Sequence, residues 1–338
     1  MAGPVIVANQ TGEWRPQPKP ELQGRYRLAA EAIALAYIAI IATVASATGA
    51  FYVLFPELGA LSQDVFTRPR GTWASTPLLL AITPVLAGAI GIFFTRELPY
   101  GFASVLLTVS GAIVVILALR SPVAPSISAG LLPLVLGVKS WWYPPAILFG
   151  TALLAILSIP WKRYCGSHTR ETPRTAQEAI EDVVELAPTE YYGLVPLILF
   201  VTIAIAAVEL TNLRFILFPP LVVIGFEMFG HLAICPWASR PLLLPVACFL
   251  TAAGGLILLN VVGANPATAA LSMAWGIFVL RVFDLHVPPA LAVGLLPMVM
   301  NHPTAAYPFS VGIGTLALTL WFQLWRQFPA DATRFGTN

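Results

Sequence analysis

The sequence predicts an all-α polytopic membrane protein built from two parallel tandem repeats. Each repeat is read as about four to six membrane segments, with short Pro/Gly-broken helices among them. Three observations lead there. Of 338 residues, 58% are hydrophobic and 10% charged, with a mean hydropathy of +0.81, whereas soluble domains run near a quarter charged. Many of the 30 prolines and 25 glycines lie inside apolar runs, as in broken membrane helices whose freed backbone groups face protein or a cavity. The chain also repeats itself: 55–77, FPELGALSQDVFTRPRGTWASTP, returns at 218–241 as FPPLVVIGFEMFGHLAICPWASRP. Asp64 thereby stands for Glu227, Phe66 for Phe229, Arg68 for His231, and Trp73-Ala74-Ser75 for Trp237-Ala238-Ser239.

Residues 1–27 read as a soluble cytoplasmic arm carrying Arg15, Lys19, Arg25 and Arg27. The arm is polar and proline-rich, and the apolar run after it is long enough to stay in the membrane, so it is not read as a cleaved signal. Repeat 1 spans 28–161. Its first span, 28–52, has Glu31 near its start, and a shorter stretch, 53–66, contains Phe55-Pro56-Glu57. Then come 77–94, 100–119, a Pro-bracketed piece at 123–138, and 144–160. A crossing needs about 20 residues, so 53–66 and 123–138 are short, and such pieces at matching places in two halves point to a transporter's binding site.

Residues 162–191 form a polar linker. Thr175-Ala-Gln-Glu178 makes a capping box, and Ile180, Val183, Val184 and Ala187 share one stripe, which predicts a short amphipathic helix on the membrane surface with a solvated acidic face. Repeat 2, 192–326, follows the same plan with pieces at 193–211, 215–235, 241–262, 266–282, 287–300 and 306–325; 327–338 is a cytoplasmic tail. From Pro77/Pro241 to Trp161/Trp325 the halves align without a gap. They match Gly91 with Gly255, Pro125 with Pro289, Gly130-Leu-Leu-Pro133 with Gly294-Leu-Leu-Pro297, and Tyr143-Pro144 with Tyr307-Pro308.

With a cytoplasmic N-terminus and every piece crossing, only Arg96, Lys139 and Arg214 of the 18 Lys and Arg lie outside, a clear positive-inside bias. If the short pieces are re-entrant, Arg68, Arg70, Arg120, Arg240 and Arg281 move outside. Either way the crossings per half are even, which keeps both termini and the linker cytoplasmic and the repeats parallel. The expected setting is a bacterial plasma membrane. Trp141, Trp142, Tyr143, Trp161, Trp321 and Trp325 fall near span ends and read as interfacial aromatics.

A net charge of +2 without a basic patch disfavours nucleic acid. Cys165, Cys235 and Cys248 form neither a disulfide framework nor a metal spacing. No phosphate-binding glycine loop, zinc-binding helix or nucleophile elbow is present in the sequence, so the expectation is a non-enzyme without cofactor or metal.

Ionisable groups inside apolar sequence are costly unless they pair or meet water. Glu227 and His231, at i and i+4, predict a hydrogen-bonded helical pair. It is either a proton-sensitive gate, because histidine changes charge near neutrality, or a structural polar pair. Asp64 and Arg68 predict the equivalent pair, with Arg68 permanently charged as an edge anchor or an ion pair at the entrance. An anion needs donors, and helix N-termini supply free N–H groups. Candidate starts follow Ser75-Thr76-Pro77 and Ser239-Arg240-Pro241 and lie at Pro125 and Pro288-Pro289, with ordinary capping as the alternative. Gly130 and Gly294 predict close helix approach along a lined pathway. Asn265-Pro266-Ala267 copies the short aquaporin signature, but the first half reads Gly101-Phe102-Ala103, and a helix cap explains Asn265 as well.

Several of these residues resemble the HPP family of integral membrane proteins. The likeness rests on Phe55-Pro56-Glu57-Leu58-Gly59-Ala60, the Ala-Ser-x-Pro closures at 74–77 and 238–241, and Val287-Pro288-Pro289-Ala290. The position of the family's histidine is Val287, with His286 displaced by one, and the first half reads Ala124-Pro125. The resemblance implies a tandem duplication of a domain usually described with four spanning helices, in a family that includes nitrite transporters. The resulting expectation is passive or proton-linked movement of a small inorganic anion through a site at the repeat interface, with nitrite implied by the resemblance alone. The partners are then the lipid bilayer and that anion, with a homo-oligomer compatible. The competing reading is a membrane scaffold without transport.

Overall fold

A computed structural model describes residues 24–168, 176–188, 191–232 and 234–327. The expected arm up to residue 23, the capping box of Thr175 and Glu178, and the tail from 328 lie outside the described residues or side chains. Every regular element described is helical. The first half contributes α1 (Gly24–Thr48), α2 (Glu57–Thr67), α3 (Thr72–Ser75), α4 (Pro77–Glu97), α5 (Phe102–Leu119), α6 (Ser126–Leu136) and α7 (Tyr143–His168). After α8 (Ala176–Glu185) come α9 (Leu194–Thr211), α10 (Pro219–Gly230), α11 (Leu243–Val262), α12 (Pro266–Val282), α13 (Pro289–Leu295) and α14 (Ala306–Arg326). Six of them, α1, α4, α5, α7, α9 and α11, are long and apolar enough to cross a bilayer. The chain is an integral, all-helical membrane protein.

Local chemistry sets the helix limits. Pro77 opens α4 and Pro266 opens α12, where a missing N–H costs nothing. Gly137 ends α6 with φ +72°, a left-handed cap that glycine adopts freely. α7 runs on to His168, beyond the expected repeat boundary at 161, and carries Pro160 inside it.

The short helices form the interior. Pro219 to Phe229 of α10 and every residue of α13 are buried, whereas the long spans leave most of their surface outward, with Leu78, Val114, Ile156, Leu210 and Val261 exposed. That distribution suits a bundle whose rim meets lipid and whose broken helices meet only protein. α2 packs on α13, α10 packs on α6, and α10 touches α13; outside them, α1 lies on α12 and α5 on α9.

Contacts recur at matched places in the two halves. The Tyr143 hydroxyl donates to the Ala129 carbonyl (2.9 Å) and the Tyr307 hydroxyl to that of Val293 (2.6 Å). Trp73 Nε1 donates to the Pro122 carbonyl (2.9 Å) and Trp237 Nε1 to that of His286 (3.0 Å). Gly91 faces the backbone of Gly130, and Gly255 faces that of Gly294. The expected close approach at Gly130 and Gly294 is present, since a Cβ there would lie 3.2 Å from the Ala87 carbonyl oxygen and 3.0 Å from Thr251 Cγ2, and it is tightest where Gly91 and Gly255 face their carbonyls.

The indole bonds tie the turn 68–76 to 120–125 and the turn at Trp237 to 283–288, and Arg68 meeting His286 brings both pairs to one end of the bundle, where α8 also sits. At the opposite end Tyr52 meets Ser140 (3.4 Å), Arg96 donates to the Lys139 carbonyl (2.8 Å), and Arg214 stacks 4.5 Å over Tyr100. Tyr143, expected as an interfacial aromatic, is instead buried by its hydroxyl bond.

Candidate functional site

Arg68 organises the α8 end. It caps α2, with its N–H on the Asp64 carbonyl (2.7 Å), and its side chain turns back so that Nη1 donates to Asp64 Oδ1 (2.9 Å). The predicted Asp64–Arg68 pair is thus formed, with Asp64 wholly buried. The guanidinium also donates to Glu185 and Asp182 of α8 and lies 4.0 Å from Glu181. Thr72 Oγ1 donates to the Asp182 carbonyl at 3.2 Å.

His286 enters from the turn between α12 and α13. Its Nε2 lies 3.1 Å from Arg68 Nη1, 3.5 Å from Asp64, 3.8 Å from Glu181 and 4.0 Å from Glu185. Burial works against its charged form, but the Glu181, Asp64 and Glu185 carboxylates prevail over that and over Arg68, and push it up to about 10. Two cations are then held side by side by the carboxylates around them. Burial, with Asp64 adding to it, pushes Glu185 up to about 7 despite His286 and Arg68.

Glu227, on α10, is 3% exposed and faces a cleft lined by Trp73, Glu185, Trp237, His286 and Pro288. It has no hydrogen bond or ion pair among the described residues. Its predicted bond to His231 is absent because α10 stops at Gly230. His231 leaves helical geometry (φ −135°, ψ 50°), so the i, i+4 register is lost. The ring instead pairs with the Leu186 carbonyl just after α8 (Nε2 to O, 3.0 Å), and burial holds its pKa below the ordinary range, that carbonyl opposing. Glu227 instead feels Glu185, Glu57, His286 and Asp64.

Glu57 is a further buried carboxylate with no cation paired to it among the described residues. It sits in the first turn of α2, 1% exposed; Oε1 accepts from Ser128 of α6 (2.6 Å), and Oε2 has no hydrogen-bond partner among the described residues. Its counterpart in the second half is Pro220.

The remaining predicted residues disperse. Ser75 is exposed and does not cap α4; its Oγ accepts from Lys162 Nζ (3.2 Å), because a helix opening on Pro77 has one fewer N–H to cap. Ser239 closes a 3-10 turn, Pro236–Ser239, and its side chain lies outside the described residues. Pro125 precedes α6 without a side-chain cap, and Pro288-Pro289 open the seven-residue α13 beside the carboxylates, a poor place for an anion. Asn265 is an ordinary cap: Oδ1 accepts from the Thr268 N–H (3.0 Å), and Nδ2 donates to the Val262 carbonyl (3.1 Å).

Asp64, Glu185 and His286 place ligating atoms within 4.8 Å of one another. Arg68 Nη1 already takes the position the three share, bonding both carboxylates, so the guanidinium stands where a metal ion would. Set against known protein families, curated proteins and solved structures, the chain matches none.

Sequence reasoning missed Glu57, His286 and the acidic residues of α8. Glu57 lies in the apolar run Phe55-Pro56-Glu57-Leu58-Gly59-Ala60, so a signal existed. His286 adjoins Val287-Pro288-Pro289. For Glu181, Asp182 and Glu185 an acidic helix face reads as solvated, and only the partner across the chain shows otherwise.

Proposed function

We propose that this chain is a secondary transporter in which a small solute moves with protons along the short helices α2, α6, α10 and α13, between two parallel repeats. The observation that carries it is Glu227: a desolvated carboxylate with no hydrogen-bond or ion-pair partner among the described residues, lining a small cleft at the α8 end of a helical membrane bundle. Such a group is costly as an anion and takes up a proton or another cation instead. Glu57, equally buried and half-satisfied, extends the same chemistry deeper. The matched tyrosine, tryptophan and glycine contacts support the repeats, and the reciprocal packing of α2 on α13 and α10 on α6 supports a shared pathway. The positive-inside bias supports a cytoplasmic α8 end.

The carboxylates bear on the cargo. Within the cluster around Arg68, the carboxylates Asp64, Glu181, Asp182 and Glu185 outnumber the cations Arg68 and His286, and a local field of that sign repels an unaccompanied anion. A small anion, nitrite included, fits if it crosses together with a proton.

The test is uptake into proteoliposomes of nitrite, nitrate, formate and chloride, with and without a pH gradient. Expected is uptake driven by an acid exterior and lost in Glu227→Gln while the size-exclusion profile stays that of the wild type. Gradient-independent uptake defeats the coupling, and no uptake across the panel favours the scaffold reading.

A further inference from the structure

The helix between the two halves is held over the Glu227 cleft from both sides. Glu181, Asp182 and Glu185, one face of α8, meet Arg68, and Asp182 also meets Thr72. Past the helix the Leu186 carbonyl pairs with His231, and Pro188 lies against Gly230. Arg68 and His231 occupy the same position in the two halves, so one repeat grips α8 by its carboxylates and the other by a carbonyl. Apolar anchoring is thin. Val184 and Glu185 line the cleft, but of the apolar residues expected to form the stripe only Val184 is buried in the core; Ile180 and Ala187 pack against it partly buried.

We propose that α8 is a lid over the entrance to Glu227, latched to the two repeats by Arg68 and His231 and able to swing off without disturbing the bundle. Its role as a gate rests on the transport reading of Glu227; its docking does not. A latch made of charge rather than apolar area responds to conditions that the core ignores. Burying a large apolar side chain contributes roughly 1.5–3 kcal/mol, and α8 has one such residue fully in place.

The groups facing the latch are Asp64 and Arg68 of α2, Glu181, Asp182 and Glu185 of α8, Glu227 and His231 at α10, and His286. Docked, Glu185 is pushed up to about 7 and His286 to about 10. Undocking returns Glu185 to water and takes Glu181 and Glu185 away from His286, so both groups lose proton affinity. The docked state binds more protons, and docking therefore tightens in acid and loosens as pH rises. Arg68 stays charged throughout.

Two measurements test the lid. In a cysteine-free background, Glu227→Cys is labelled with a water-soluble methanethiosulfonate, and rates are normalised to Trp142→Cys, an exposed site at the opposite end that removes the thiol's own pH dependence. Adding Asp182→Asn, or moving from pH 6 to pH 8.5, should raise the normalised rate about tenfold; a rate indifferent to both overturns the lid. In the second, Thr72→Cys with Asp182→Cys is oxidised in proteoliposomes. Uptake should stop and return on reduction, whereas full uptake with the crosslink formed overturns the gate. Absence of uptake in the reduced protein counts against transport instead, and labelling then decides the lid alone.

Discussion

Alanine at Gly91 should destabilise this protein, although alanine is the better helix former. Propensity favours the change by about 1 kcal/mol. Opposing it, a Cβ on Gly91 would lie less than 3.0 Å from the carbonyl oxygen and carbon of Gly130. Those are backbone atoms of α6, a helix with nearly every residue buried and packed on α4, α5 and α10, so no side chain can turn aside and the helix itself must shift. Overpacking of this kind costs about 1–3 kcal/mol and sometimes more, and with no rotamer to relieve it the upper part of the range applies. The net loss is then about 1–2 kcal/mol. Gly255 meets Gly294 in the same way, so Gly255→Ala should lose a similar amount. Gly111 provides the control: its Cβ would meet only the Ile90 side chain, at 3.0 Å, which can rotate away, so Gly111→Ala should be neutral or slightly stabilising. Thermal unfolding in detergent, followed by tryptophan fluorescence and size exclusion, ranks the three. If Gly91→Ala is as stable as Gly111→Ala, the close approach of α4 to α6 is wrong.

Glu185 sets a pH dependence: its pKa is raised in the folded protein, so its contribution is full below the ordinary carboxylate range and lost as pH rises through about 7. Melting temperature should fall from pH 5 to pH 8, by the equivalent of about 2–3 kcal/mol, and Glu185→Gln should flatten that slope; a wild-type rise over the same window contradicts the sign. Tyr143→Phe and Tyr307→Phe each strip a donor from a buried carbonyl, and each should cost about 1–3 kcal/mol in denaturant titration. Ser128→Ala removes the Ser128 donor to Glu57 and should cost a similar amount, while Glu57→Gln, which keeps an acceptor for Ser128, should keep stability and lose proton-driven uptake. His231→Gln retains a donor for the Leu186 carbonyl and should leave the pH profile of uptake unchanged, whereas Glu227→Gln abolishes uptake.

Much of the architecture was legible in the residues alone, because composition and period act locally. A chain with this hydropathy has few places to be but a bilayer, and runs near 20 residues become spans whatever packs on them. Pro77, Pro266 and Gly137 mark helix ends through their own backbone chemistry. Asp64 with Arg68 was also readable, as both sit on one short helix and its cap. The site was legible only in part. The i, i+4 rule holds while a helix continues, and the break after Gly230 turned His231 away from Glu227. The acidic face of α8 meets Arg68 across more than a hundred residues, and Glu57 meets Ser128 across 71. Spacing along the chain carries no trace of such contacts. Burial and pairing of charge depend on which helices become neighbours, so the tertiary structure alone decided that Arg68, His286 and the linker helix form one cluster with Glu227 beneath it.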